Sequence, residues 1–322
     1  MPTTYLRPVD AFLGQTERIL RRGHLVTRRT DPSWELVAES FTIEQPLDRC
    51  IATPHRNNNI AATIAETLWV LAGRNDIAFL APYLPRASDY SDDGETWRGG
   101  YGPRLRHHFH GDQVDRVRQL LLEDLMTRRA VVSLFDPAVD YQPSKDVPCN
   151  NWLQFICIDD RLDLSITARS LDLMWGFSGI NAFEWSVLHE LMASWVGLQV
   201  GHQHWFVGSC HLYDRHHERA QKIVANAVEQ PPDQRRIAYH GSWNSLETDL
   251  HAWFGVEDQL RSGHDLSCPE ITSVVKEPLL QSFAVCVAGY WDIRNGRSAS
   301  GRIEWLAGTD LARALAHVAS WI

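Results

Sequence analysis

The stretch from Val147 to Arg219 constrains the fold more than any other part of the chain. Trp152–Ile158 and Leu162–Thr167 are apolar or alternating runs, separated only by Asp159-Asp160-Arg161. Period-two alternation around a short polar break predicts a β-hairpin. The period then changes. Phe183, Val187, Leu188, Leu191, Met192, Trp195 and Val196 fall at i, i+3, i+4 spacing within Asn181–Leu198. That pattern predicts a helix buried along one broad face. Gly201–Leu212 reads as a strand and Asp214–Val228 as a helix. Strands and helices mix without a regular βαβ rhythm, so an α+β fold is expected rather than a doubly wound α/β one.

Other segments fit the same class. Asp10–Arg22 predicts a first helix and Trp34–Thr42 a strand. Ile60–Ala72 is an apolar helix with one internal acid, Glu66. Leu84–Arg106 is rich in Gly, Asp, Ser and Pro and reads as a functional loop. Gln113–Met126 is amphipathic, with Leu120, Leu121, Leu125 and Met126 on one side, and Ala130–Phe135 is a short strand. Pro231-Pro232 breaks the chain. Residues 1–235 are therefore expected to form the core unit, with 236–322 a helical extension packed on it.

Composition excludes several functions. Lys plus Arg is 31 and Asp plus Glu 40, a net charge of −9, which argues against a dedicated duplex-DNA binder. No apolar run approaches a membrane span, so no membrane partner is expected. Met1–Pro8 carries no apolar signal core. The six cysteines lack paired spacing and read as reduced thiols, so a cytoplasmic location is expected. The run His107, His108, His110 reads as a solvated patch, and no metal is predicted.

Six places can carry chemistry. Cys149 follows a proline at a loop-to-strand junction, where a neighbouring Arg or backbone dipoles can activate a thiolate nucleophile. Arg128-Arg129 precede a strand, Arg169-Ser170 end the hairpin, and Arg28-Arg29-Thr30 lie near the N-terminus. Arginine forks match phosphate oxygens, and several on an acidic chain point to a small phosphorylated anion. Glu66, inside an apolar helix, must be paired, protonated or functional. His211 and Tyr213 alternate along a strand end and can grip a sugar hydroxyl.

In order and spacing, these pieces resemble the thymidylate synthase superfamily, including its pyrimidine nucleotide hydroxymethylases. The segment Glu66-Thr-Leu-Trp-Val-Leu-Ala-Gly-Arg-Asn-Asp-Ile-Ala-Phe-Leu is similar to the family's ELLW-FL-G-TNI-YL run. Tyr101-Gly102 with Arg106, Pro148-Cys149 with Gln154-Phe155, Arg169-Ser170 with Asp172, Gly176 and Asn181, and His211-Leu212-Tyr213 with His216 continue the match. The resemblance covers about residues 10–225.

It implies a thymidylate synthase-like mixed sheet packed with helices, and a homodimer through the sheet. It also implies attack of Cys149 on C6 of a pyrimidine 5′-monophosphate, whose C5 takes a carbon from 5,10-methylenetetrahydrofolate. Glu66 and Tyr101 would serve the proton network. Arg29, Arg169 and Ser170 would hold the phosphate, joined by Arg128 and Arg129 from the second subunit. His211 and Tyr213 would hold the ribose. Gln154, Asn150 and Asn181 would complete the nucleotide site. Arg56, Asp172, Gly176, Ala87 and Tyr90 would line the folate.

The departures narrow the branch. Where the family loop has I-W-D-E-W-x-D, this chain has Arg86-Ala87-Ser88-Asp89-Tyr90-Ser91-Asp92. Ala87, or Ser88 with a one-residue shift, stands where thymidylate synthases have the indole that covers the exocyclic methylene during hydride transfer. A small residue admits water, and water attack leaves a hydroxymethyl group. Asn150 replaces the usual His after the nucleophile, and Gly176–Asn181 is one residue longer than the family's segment. Asn181 does not settle the base, because a carboxamide can flip to face uracil or cytosine. The altered polar groups favour a cytidylate hydroxymethylase, CMP ahead of dCMP, resembling the enzymes of mildiomycin-type antibiotic biosynthesis. The alternatives are a divergent thymidylate synthase acting on dUMP and a catalytically silent nucleotide-binding relative.

Overall fold

The computed structural model describes residues 2–28, 31–231 and 233–322, with the side chain of Arg28 left aside. The N-terminal half runs β1 (Thr3–Tyr5), α1 (Pro8–Arg22), β2 (His24–Arg28), β3 (Asp31–Ile43), α2 (Ile60–Leu71), α3 (Ile77–Leu80), α4 (Tyr101–Arg106), α5 (Gln113–Glu123) and β4 (Val131–Ser133). Then follow β5 (Asn150–Ile158), β6 (Arg161–Asp172), a π-helix (Leu173–Asn181), α6 (Ala182–Val196), β7 (Gln199–Tyr213) and α7 (His217–Ala225). The C-terminal part is helical: α8 (Leu246–Arg261), α9 (Cys268–Val274), α10 (Pro278–Arg294), α11 (Ser300–Trp305) and α12 (Asp310–Ala319).

The strands form one sheet in the order β1-β3-β7-β6-β5-β4, with β2 added on β3. Pairing is mixed. β1–β3 and β6–β7 are parallel, and β2–β3, β3–β7, β5–β6 and β4–β5 are antiparallel. The α+β expectation holds. The hairpin closes through Asp159 and Asp160, both at positive φ (49° and 58°), the left-handed pair that matches strand twist.

Helices α1 and α6 and the π-helix cover one face of the sheet. Strand alternation sends Leu153, Phe155, Leu162, Leu164 and Ile166 into that core. The opposite face carries Phe206, Ile158 and Val131, all exposed. There Asp163 ties β6 to β7. Its Oδ1 accepts from the backbone N–H of His202 (2.8 Å), and its Oδ2 lies 3.0 Å from His204 Nε2. Gly201 permits this approach, since a Cβ there would sit 2.0 Å from Oδ1.

Helix α6 is buried on nearly every side rather than one, because α2 and the sheet both pack against it. It ends at Gly197, whose φ of 73° supplies the left-handed cap. Helix α5 stops at Glu123, earlier than its sequence pattern suggested, and leaves Leu122, Leu125 and Met126 exposed. The apolar core continues without a break from Val9 to Val318, with α10 and α12 packed on α2. No helix among the described residues is long and apolar enough to cross a membrane.

Candidate functional site

The site gathers at one end of the sheet, where β5, β6 and β7 meet α2, α4 and the π-helix. Cys149 sits one residue before β5, half-buried. Its backbone carbonyl accepts from the Arg169 N–H at 2.9 Å, which fixes the loop against the end of β6. The Arg169 guanidinium wraps the same loop, donating to Pro148 O (2.9 Å) and Val147 O (2.8 Å). Its Nη2 lies 3.8 Å from Cys149 Sγ. Burial pushes the thiol up from its ordinary value, and the Arg169 charge opposes that rise. Ser170 follows on β6, half-buried, and Arg169 itself is exposed.

Tyr101 opens α4 and enters from above. Its phenol oxygen accepts two hydrogen bonds from Asn150, from the backbone N–H (3.1 Å) and from Nδ2 (2.6 Å). The phenol proton is thereby left to donate elsewhere. Burial first, then Cys149 and Glu184, hold this phenol well above its ordinary range, so it stays neutral. Asn150 is buried, and its Oδ1 accepts from Trp185 Nε1 at 3.4 Å. The Trp185 ring in turn packs on Tyr101, centroids 5.2 Å apart. Asn150 is thus engaged at both ends of its carboxamide, and works here as the post that holds Tyr101.

Glu66 is reached from α2. Its neighbours along the helix, Ala65 and Thr67, are buried, and no described residue hydrogen-bonds its carboxyl. Burial, helped by the nearby Asp146, raises its pKa to about 8. Asp146 is itself raised by burial, and its Oδ2 accepts from Gly99 N at 2.8 Å. Sequence reasoning missed a third acid, Glu184 in the first turn of α6. It is 1% exposed and both carboxyl oxygens lack a hydrogen-bond partner. Burial and then Glu66 hold it well above the carboxylate range. Flanked by Phe183 and Trp185, it reads in sequence like one polar position on an amphipathic helix.

The segment Gly176–Asn181, where one extra residue is expected, lies within the π-helix. A π turn absorbs one insertion without breaking the helix, and such turns recur at functional sites. Asp172 caps it, accepting from Met174 N at 2.9 Å, and burial raises the Asp172 pKa while His211 opposes. Arg56 clamps it. Nε donates to Ser178 Oγ (2.7 Å) and Nη2 to Met174 O, and burial lowers this guanidinium to about 10. Gly176 lies close to Asn181, as a Cβ there would stand 3.4 Å from Asn181 Oδ1. The Asn181 carboxamide is buried, and no described residue hydrogen-bonds it. Trp175, unnoticed in the sequence, projects from this turn at 54% exposure. His317 of α12 lies within electrostatic reach of Arg56, so the C-terminal helix borders the same region.

On β7, His211 pairs with Asp172 of β6, and its ring meets Tyr213 edge-on at 5.2 Å. Below them Glu35 accepts from Ser33 (2.7 Å) and Ser209 (2.9 Å).

The remaining expected site residues lie outside this cluster in the single chain. Gln154 lies on the uncovered sheet face and donates to Arg128 O at 3.0 Å, because Leu153 and Phe155 take the core side of β5. Arg128 and Arg129 are exposed beside Leu125, Met126 and Val131, and no described carboxylate pairs with either. Ala87 is 2% exposed: its methyl turns into the loop, and its carbonyl accepts from Trp97 Nε1 at 2.9 Å. Tyr90, three residues on, is the exposed ring of that loop. Arg29 lies outside the described residues.

A family model described as thymidylate synthase matches residues 10–248. The chain is similar to three proteins named deoxyuridylate hydroxymethyltransferase. It is 36% identical over 196 residues to that of Delftia phage PhiW-14, covering 57% of this chain and 54% of the relative. It is 40% identical over 216 residues to that of Pseudomonas phage M6, covering 65% and 62%. It is 29% identical over 299 residues to that of Bacillus phage SP01, covering 82% and 78%. The chain therefore spans only about half to three-fifths of the first two relatives' length.

Proposed function

The chain belongs to the thymidylate synthase family, and from that premise we propose that it is a pyrimidine nucleotide 5-hydroxymethylase. The observation that carries this reading is the Cys149 thiol 3.8 Å from the Arg169 guanidinium, with a neutral Tyr101 close enough to feel it and with Asp146 acting on both Cys149 and the acid Glu66. This is a nucleophile with its counter-charge, a hydrogen-bond donor and a base gathered at one end of the sheet.

The reaction starts with Cys149 Sγ bonding C6 of the nucleotide, which makes C5 nucleophilic. 5,10-Methylenetetrahydrofolate, the cosubstrate, supplies the carbon: C5 bonds its methylene, C5 gives up its proton to a base, and the methylene–nitrogen bond breaks, releasing tetrahydrofolate and leaving an exocyclic methylene on C5. Asp172, Arg56, Gly176 and Tyr90 face it, Arg56 chiefly by fixing the π-helix that shapes that wall. Arg169 and Ser170 receive the phosphate, with Arg29 as a further donor. His211 and Tyr213 receive the sugar and Asn181 the base edge. Water then adds to the exocyclic methylene. Its oxygen forms the new C–O bond, its proton passes to a base, and the electron pair returns through the ring to expel Cys149 as thiolate. Hydroxymethylation is placed ahead of methylation because the relatives above are named hydroxymethyltransferases, and because the loop's own Trp97 is tied to Ala87 O and packed edge-on to Trp69.

The active unit is a homodimer through the uncovered sheet face. The exposed Phe206, Ile158 and Val131 need cover there, and Arg128 and Arg129 stand beside them to reach a second copy's phosphate site. Deoxyuridylate is placed first as substrate. Asn150 is spent on Tyr101 and Trp185, so the Asn181 amide reads the base, and the relatives above are named for deoxyuridylate. Cytidylate, CMP ahead of dCMP, is the second reading, because the same amide presents either edge.

Incubation with methylenetetrahydrofolate and equimolar CMP, dCMP, UMP and dUMP, read by mass spectrometry, tests this. A gain of CH2O on dUMP is the expected result, and the same gain on CMP or dCMP moves the substrate to the second reading. A gain of CH2 on dUMP, with dihydrofolate formed, would make the protein a thymidylate synthase. No product with any nucleotide would make it a silent relative.

A further inference from the structure

Glu184 has no place in the chemistry above, yet it is the least explicable side chain beside it. Both oxygens are buried and neither meets a protein donor. A carboxyl so placed costs several kcal/mol unless it is protonated and solvated by trapped water. The surroundings are polar enough to hold water. Glu66 of α2 is the charge that Glu184 feels, and the Tyr101 phenol of α4 feels Glu184 in turn. Asp146 and Cys149 stand beyond those two groups. Phe183, Trp185 and the rest of the first turn of α6 are apolar and buried, so protein dipoles do not satisfy it.

We propose that Glu184 is a water-positioning residue: together with Glu66 and the Tyr101 hydroxyl it holds the water that attacks the exocyclic methylene. The inference rests on the hydroxymethylase reading. Methylation consumes no water at that carbon, whereas hydroxymethylation needs one molecule placed and deprotonated there. Glu66 accepts the water's proton. Glu184 stays protonated, donates one hydrogen bond and accepts another, and so orients the water without competing for its proton. Buried waters of this kind typically make about three hydrogen bonds, and these three groups supply them.

The test separates adduct formation from water attack. Exchange of the C5 hydrogen of dUMP with solvent requires Cys149 but no attacking water. Glu184→Leu keeps the volume and removes the water site; Glu184→Gln keeps a donor and an acceptor. In Glu184→Leu we expect C5 exchange and nucleotide KM within about threefold of wild type, with kcat for the hydroxymethyl product down about 100-fold or more. In Glu184→Gln kcat should return to within about tenfold of wild type. With 2-mercaptoethanol present, Glu184→Leu should also divert the methylene intermediate to the thioether. Equal product rates in Glu184→Leu and wild type would overturn the proposal. So would a parallel loss of exchange and product in both variants, which is what a merely structural role would give. A wild-type protein that exchanges C5 hydrogen but makes no hydroxymethyl nucleotide would instead bring down the reading on which the proposal stands.

Discussion

Replacing Arg169 by methionine should make Cys149 a poorer nucleophile before any nucleotide binds, and the size of the effect follows from one distance. Nη2 stands 3.8 Å from Sγ. A unit charge at that separation favours the thiolate by about 1 kcal/mol if the effective dielectric is that of water, and by about 4 kcal/mol at the value of about 20 typical of protein surfaces. At 1.36 kcal/mol per pKa unit, Arg169→Met should raise the Cys149 pKa by about 0.8 to 3 units. Near neutral pH the thiolate fraction then falls by about sixfold to a thousandfold. The assay is alkylation by iodoacetamide in nucleotide-free protein, followed across pH by mass spectrometry of the Cys149 peptide. Peptide resolution matters because Cys50, Cys157, Cys210 and Cys286 are buried and Cys268 is half-buried. Arg169 also ties down the carbonyls of Val147 and Pro148. Arg169→Lys serves as the control, since it keeps the charge and loses the fork. Slower alkylation in the methionine variant with recovery in the lysine variant is expected. An alkylation midpoint in Arg169→Met that stays put or moves down would refute the reasoning, because burial alone would then set the thiol.

Further predictions concern other parts of the molecule. Cys149→Ala should abolish both C5 hydrogen exchange and product formation, and normal turnover in that variant would remove the covalent mechanism. C5 exchange should rise with pH toward a midpoint near 8, where Glu66 ionises, and Glu66→Gln should flatten that limb. The same raised pKa has a sign in stability. The neutral acid's contribution is complete below the ordinary glutamate range and is lost as pH climbs through about 8, so Glu66→Gln should gain on wild type in thermal melts as the buffer becomes alkaline. Arg104 and Asp140 form a two-pronged pair (2.7 and 2.8 Å), 1% and 0% exposed, beside the Tyr101 helix. Asp140→Ala would strand the guanidinium and should cost about 3–5 kcal/mol in chemical denaturation, and a loss below about 1 kcal/mol would show that water reaches it.

What the chain determined by itself was everything carried by local pattern. The hairpin was written in the alternation on either side of Asp159-Asp160, and α2 and α6 in their 3.6-residue apolar period, because periodicity depends only on neighbours along the chain. The nucleophile segment, the Arg169-Ser170 pair and the His211–Tyr213 strand end were legible for the same reason: their chemistry comes from residue type and short spacing. The parity of β5 was legible too, and reading it strictly would have placed Gln154 opposite the core.

Tertiary packing decided the rest. Asn150 looked like a ligand group until Trp185 and Tyr101, 35 residues ahead and 49 behind, took both ends of its amide. Ala87 looked like a gap in the site wall until Trp97 folded over its carbonyl. Arg56 looked free for a cosubstrate, and is spent on the π-helix that ends at Asn181. Glu184 shows the physical reason most clearly. A glutamate on a helix is solvated or buried according to what crosses it, and only the crossing of α2, which brings Glu66 alongside, makes it a buried acid.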